Sequence, residues 1–134
     1  MERTFVIVKP DAVADGHVGA ILERYEAAQL TIEAMELREI TGDFADRHYA
    51  SHVGKDYYPD LREFMTEGPL VALVLSGDDA VARVRKLNGA TDPAKAESGT
   101  IRAEFASTLR RNAVHASDSP ETAASEVSLW FPNA

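Results

Sequence analysis

Two runs of this chain are apolar at nearly every position, and they constrain the fold more than any other feature. The first, Thr4-Phe5-Val6-Ile7-Val8-Lys9, is β-branched and aromatic and stops at Pro10. A strand with one wet face alternates apolar and polar residues, whereas a continuous apolar run suits a strand buried on both faces. Proline ends such a run because it cannot donate to a ladder. The second, Leu70-Val71-Ala72-Leu73-Val74-Leu75, opens after Pro69 and closes at Ser76-Gly77. Both point to a sheet in the interior. A chain of 134 residues is read as one domain over 1–134, long enough to bury about two-thirds of its unfolded surface.

The segments between these runs carry helical spacing. Gly19–Gln29 sets Ile21, Leu22, Tyr25 and Ala28 on one face, and Asp43–Val53 does the same for Phe44, Ala45, His48, Tyr49 and His52. Leu61–Thr66 is a short helix. Asp78 or Asp79 is placed to cap a helix carrying Ala80, Val81, Val84 and Leu87. Asn88–Thr100 has no period and reads as a long loop, a kind often tied to function. Ile101–Phe105 is a short helix, and Ala113-Val114-His115 a short strand. Ser119 followed by Pro120 starts a last helix that aligns Ala123, Val127 and Trp130. Thr31–Ile40 stays open: Ile32 and Ala34 alternate, Met35 and Leu37 do so on the other phase, and the Ala, Glu, Met and Leu content suits a helix. If it is a strand, the order becomes βαββαβ. That is the ferredoxin-like plan of the α+β class, a four-stranded sheet with helices on one face.

Charge narrows the function. Fourteen basic against 22 acidic residues give −8, which argues against nucleic acid or an anionic membrane as a partner, since both need a basic face. The excess reads as solubility and also fits a salt-adapted source. No RNP-type aromatic strand is present. No apolar run approaches the roughly 18 residues of a membrane span, and the start lacks a signal-peptide pattern, so a cytoplasmic address is expected. Without cysteine there are no disulfides, zinc–thiolate sites or thiol nucleophiles.

Four histidines remain. His17 lies in a turn. His48 and His52 are spaced like metal ligands, but no HExxH pattern or cysteine completes a site; they are read as flanking something with Tyr49. His115 sits among small residues, with Asn112, Ser117 and Ser119 to hydrogen-bond. Imidazole is partly neutral and nucleophilic near neutral pH and can carry a transferred group; the same spacing also fits a hydrogen-bonded histidine at a strand end. There is no P-loop and no dinucleotide fingerprint. Lys9, Arg85 and Arg102 are the cations best placed for phosphate, each also readable as an exposed charge.

Taken in order, these residues resemble the nucleoside diphosphate kinase family along nearly the whole chain. The specific stretches are Lys9-Pro10-Asp11, Gly99-Thr100-Ile101-Arg102, and Asn112-Ala113-Val114-His115-Ala116-Ser117-Asp118-Ser119, with Tyr49, Gly68-Pro69 and Gly89-Ala90-Thr91-Asp92-Pro93 between them. The resemblance implies a ferredoxin-like fold with a four-stranded antiparallel sheet, and so a strand at Thr31–Ile40. It implies a transferase that moves the γ-phosphoryl of a nucleoside triphosphate, ATP above all, to a diphosphate by ping-pong exchange through a pros-phosphohistidine on His115. By family pattern Lys9, Tyr49, Arg85, Thr91, Arg102 and Asn112 surround phosphates and sugar, and Ser117 and Glu126 support the histidine. Tyr57, Leu61 and Leu109 border the base. Mg2+ would arrive on the nucleotide phosphates, with no direct protein ligand. The resemblance also implies a homo-oligomer, tetramer or hexamer with a bare dimer possible, to which the Asn88–Thr100 loop and Pro132-Asn133-Ala134 contribute. Some residues depart from the family pattern: Tyr57 replaces phenylalanine, Ala103, Arg110 and Ala116 stand at glycine positions, and Ser98 replaces proline. A catalytically idle nucleotide-binding module is the competing class.

Overall fold

The structure, a computed structural model, describes residues 1–134. The first apolar run is the strand β1 (Glu2–Val8), and the second is β3 (Leu70–Gly77), buried at every position. They pair antiparallel, Val6 opposite Leu73 and Val8 opposite Val71. β2 (Thr31–Arg38) lies on the outer side of β3, and the short β4 (Val114–Ala116) on the outer side of β1, giving the order β2-β3-β1-β4. All pairings are antiparallel. The helices α1 (Pro10–Ala14) and α2 (Val18–Ala27) follow β1, and α5 (Ala80–Asn88) follows β3. With α2 and α5 as crossovers the arrangement is the ferredoxin-like βαββαβ expected.

The alternation of side chains along β1 explains why both faces had to be apolar. Val6 and Val8 enter a core with Ile21 and Tyr25 of α2 and Ala80 and Val84 of α5. Phe5 and Ile7 enter a second core on the opposite face. That face is covered by α3 (Gly42–His48), α4 (Tyr58–Met65) and α7 (Pro120–Trp130), which supply Ala45, Tyr58, Phe64, Met65, Val127 and Trp130. The expectation of helices on one face is thus corrected. The two crossovers occupy one face, and the added helices cover the other, as a strand apolar throughout requires.

The double phase of Thr31–Ile40 has a geometric origin. The register of β2 on β3 slips between Ile32 and Ala34, a bulge that inserts one residue. Ile32 packs on the first core and Ala34 on the second. One extra residue reverses the faces of all that follow, so no single alternation could describe the strand.

Other boundaries moved. α3 ends at His48 rather than Val53, α1 was not foreseen, and Ile101–Phe105 forms α6 as expected. The Asn88–Thr100 loop contains a short 3-10 turn, Pro93–Lys95, capped by Asp92. Ser119 caps α7 as expected, its hydroxyl accepting from the Thr122 amide at 3.1 Å. Asp79 does not cap α5: it sits in the left-handed region at φ 54° with no side-chain cap bond. The Val81 amide donates instead to Oε1 of Glu2 at 2.8 Å. An acceptor distant in sequence has replaced the local one. Glu2→Ala should therefore cost about 1 kcal/mol, the usual worth of a helix cap, while Asp79→Gly should cost nothing; urea midpoints for the two variants check this.

Candidate active site

Antiparallel pairing of β1 with β4 sets the site. It puts His115 opposite Ile7 and brings Lys9, just past the end of β1, beside the residues that precede β4. The Lys9 amide donates to the Ala113 carbonyl at 2.8 Å, and the Lys9 ammonium to Oδ1 of Asn112 at 2.9 Å. Ala113 lies in the left-handed region at φ 73°, a conformation that costs a non-glycine residue about 1–2 kcal/mol. Its amide is held by Oδ2 of Asp11 at 3.1 Å. This buried carboxylate, its acidity weakened by burial, anchors the strained turn two residues before His115.

A cleft of about 810 Å³ opens over this turn. Lys9, Tyr49, Tyr57, Leu61, Arg85, Thr91, Arg102, Leu109, Asn112, His115 and Glu126 all line it. Ser117 does not: it is buried beneath, and its hydroxyl donates to Oε1 of Glu126 at 2.6 Å. All the residues given a catalytic or nucleotide-binding role therefore converge on one place, whereas Ser119 is spent on the cap of α7.

The cations are held in low dielectric. Burial, then the nearby Arg102, lowers the Lys9 ammonium to about 8. Arg102 donates to the carbonyls of Gly89 at 2.8 Å and Val114 at 2.7 Å. Gly89 can only be glycine, with φ +85° and the Thr100 hydroxyl 2.5 Å from where a Cβ would stand. Asn112 completes the wall, its amide donating to the Thr91 carbonyl at 3.2 Å.

His115 is bound on one nitrogen only. Its Nε2 lies 3.2 and 3.1 Å from the two oxygens of Glu126. Burial alone would raise the Glu126 carboxyl, but bonding to His115, the Ser117 hydroxyl and the charge of its neighbours hold it below the usual range. An ionised carboxylate can only accept, so Nε2 carries the ring proton and Nδ1 keeps its lone pair.

Several lining residues were not assigned a role from sequence. Asn88 accepts from the Tyr25 hydroxyl at 2.6 Å. Arg110 pairs with Asp60 at 3.2 Å. His48 and His52 both line the cleft with Tyr49, as expected, but do not come together as a metal-binding pair. His52 bonds the Tyr57 hydroxyl through Nδ1 at 2.5 Å, which gives the additional hydroxyl of Tyr57 a partner. His48 accepts from the Trp130 indole. Helical spacing had grouped the two histidines, but the chain leaves the helix after His48. Ala116 lies in β4 opposite Val6 and outside the left-handed region, so its methyl causes no backbone strain.

Six buried side-chain polar atoms have no partner, and four of them belong to residues lining this cleft: His48 Nε2, Tyr49 Oη, Asn88 Nδ2 and Arg102 Nε. Buried donors are nearly always satisfied. Of these, His48 Nε2 faces Oε2 of Glu126 at 3.7 Å.

The comparisons agree. The family profile described as Nucleoside diphosphate kinase matches residues 2–134. The chain belongs to the nucleoside diphosphate kinase family. Relatives of that description include one from Nocardioides sp., 62% identical over 130 residues, covering 97% of this chain and 96% of the relative. One from Rhodococcus opacus is 56% identical over 132 residues, with 98% and 95% covered. Among solved structures, the Aquifex aeolicus nucleoside diphosphate kinase superposes with a TM-score of 0.94 at 42% identity, over 97% of this chain and 94% of that one. The Encephalitozoon cuniculi enzyme gives 0.95 at 34% identity, over 98% and 89%. The activity is the family's: phosphotransfer between nucleoside tri- and diphosphates by ping-pong exchange through a phosphohistidine.

Burial, followed by the charge of His115, depresses His48 from 6.5 to about 3. Below pH 6.5 the unfolded chain takes up a proton that the folded ring refuses until about pH 3. The unfolded state then binds more protons, and stability falls as pH falls through that window. His48→Gln should flatten the slope of stability against pH there, as measured by urea unfolding at several pH values.

Proposed function

We propose that His115 is the phosphoryl carrier, within a single domain spanning residues 1–134, and that the lining residues bind one nucleotide at a time. What supports this most is the division of the His115 ring: Glu126 holds Nε2, and Nδ1 has no protein partner. In the first half-reaction Nδ1 attacks the γ-phosphorus of a triphosphate, ATP being the main donor. The N–P bond forms as the bond to the β-phosphate oxygen breaks, and the diphosphate leaves. Nε2 keeps its proton, so the ring becomes cationic and its charge faces Glu126. In the second half-reaction the terminal oxygen of another diphosphate takes the phosphoryl group and frees Nδ1.

Phosphoryl transfer depends chiefly on positioning and charge stabilisation. Lys9, Arg85 and Arg102 supply positive charge to the phosphate oxygens, and Tyr49, Thr91 and Asn112 supply polar contacts to phosphates and sugar. Tyr57, Leu61 and Leu109 border the base. Stacking on a ring is tolerant of base identity, and Tyr57 at 44% exposed offers such a surface.

Magnesium is read as part of the substrate. It prefers several oxygen ligands in octahedral array. The one cluster of metal-ligating groups here is His48, His115 and Glu126, a nitrogen-rich set unsuited to it. The ion would arrive on the nucleotide phosphates and neutralise their oxygens.

A homo-oligomer follows from the family, as a dimer, tetramer or hexamer. The edge strand β2 supports it, with Met35 54% and Leu37 64% exposed. No helix is long and apolar enough to cross a membrane; a cytoplasmic location fits the substrate.

The test is label transfer: protein, γ-labelled ATP and magnesium, no acceptor, then a quench and mapping of the label. Acid-labile, alkali-stable label on His115 that added diphosphate discharges is expected. Nucleotide binding without label would instead mark a binding module. His115→Ala should lose all turnover. Arg85→Ala should lower kcat/KM by about 10²–10³, the usual worth of one preorganised charge-stabilising donor. Lys9 binds phosphate as the cation, so kcat/KM should fall as pH rises through about 8, and Lys9→Arg should remove that limb of the profile.

A further inference from the structure

The phosphoryl-transfer chemistry leaves one buried histidine unused. His48 ends α3 with its side chain only 1% exposed, and its ring meets that of His115 edge to face, centroids 4.9 Å apart at 78°. The Trp130 indole N–H lies 3.0 Å from its Nδ1. An indole nitrogen can donate but never accept. Nδ1 must therefore present a lone pair, and the proton of the neutral ring must sit on Nε2. That nitrogen has no hydrogen-bond partner, and the group it faces is Oε2 of Glu126 at 3.7 Å.

We propose that His48 is a positioning residue for the phosphoryl transfer: Trp130 fixes its Nε2–H tautomer, and this N–H steadies the Glu126 carboxylate against His115. The inference rests on His115 being the carrier. When Nδ1 of His115 accepts the phosphoryl group, its ring gains positive charge, and Glu126 must stay anionic rather than take the Nε2 proton. Ser117 serves Oε1 of the carboxylate; His48 serves the Oε2 side. It does so as a neutral donor, with no second charge to compete for the carboxylate. The Trp130 bond also bars another use of the cluster. Ligand atoms of His48, His115 and Glu126 lie within 4.8 Å of one another, a set that zinc would accept. A metal on Nε2 of His48 would move the ring proton to Nδ1, where the indole N–H already points. The ring cannot become a ligand without losing that bond.

Two measurements on the full chain test this. In ¹⁵N-histidine NMR, His48 should show a proton on Nε2 and none on Nδ1 from about pH 8 to about pH 5, a range over which a free histidine would titrate. A proton on Nδ1, or titration in that range, overturns the proposal. The second measurement compares His48→Leu with His48→Gln in rapid-quench phosphorylation by magnesium-ATP without acceptor. Both variants leave the indole unpaired, but only glutamine keeps an N–H near the position of Nε2. The leucine variant should phosphorylate roughly tenfold slower, through loss of a donor dipole facing the carboxylate in low dielectric, and glutamine should recover most of the rate. Nucleotide Kd should stay unchanged in both. Equal rates in the two variants overturn the proposal. Wild-type protein that takes no label on His115 would instead sink the carrier reading, a separate result. Should the leucine variant not fold, the tautomer measurement still decides.

Discussion

The site depends on β1 being buried on both faces and paired on both edges. Phe5, Val6, Ile7 and Val8 are wholly buried, and the strand has β3 on one side and β4 on the other. A strand so placed has little freedom to shift, since a slip of one residue would exchange its two cores. It runs directly into Lys9, whose charge must then lie in low dielectric. Burial of an ammonium is costly unless it is partnered. Asn112, 103 residues away in sequence, is that partner. Packing of the sheet thus delivers a cation to the histidine-bearing strand with its acidity already altered.

Glu126 takes up a complementary demand. It is a buried carboxylate in contact with His115 and Ser117 and faced by His48. Burial opposes its charge, and the surrounding donors restore it. A carboxylate satisfied mainly by neutral donors can keep its charge while the ring beside it gains one. The same helix that presents Glu126 carries Trp130 one turn later, so the acceptor for His115 and the clamp on His48 come from one face of α7. The acidic surplus of the chain, −8 overall, does not prevent polyanion binding, because Lys9, Arg85 and Arg102 line one cleft.

The sequence alone determined much of this. Continuous apolar runs fixed the two central strands, because a strand buried on both faces cannot carry polar residues in alternation. Ser119 and Pro120 fixed the start of α7. The ordered motifs around Lys9, Arg102 and His115 identified the family, and each residue they singled out lines the cleft or lies directly beneath it. Only the tertiary structure decided the rest, because those features depend on partners far apart in the chain. The bulge in β2 comes from its pairing with β3, and no local period could describe both of its phases. The cap on α5 comes from Glu2 across the sheet, not from the adjacent Asp79. The tautomer of His115 is set by Glu126, and that of His48 by an indole 82 residues away. A side chain's type is written in the sequence, but its protonation is set by the donors and acceptors that folding brings against it.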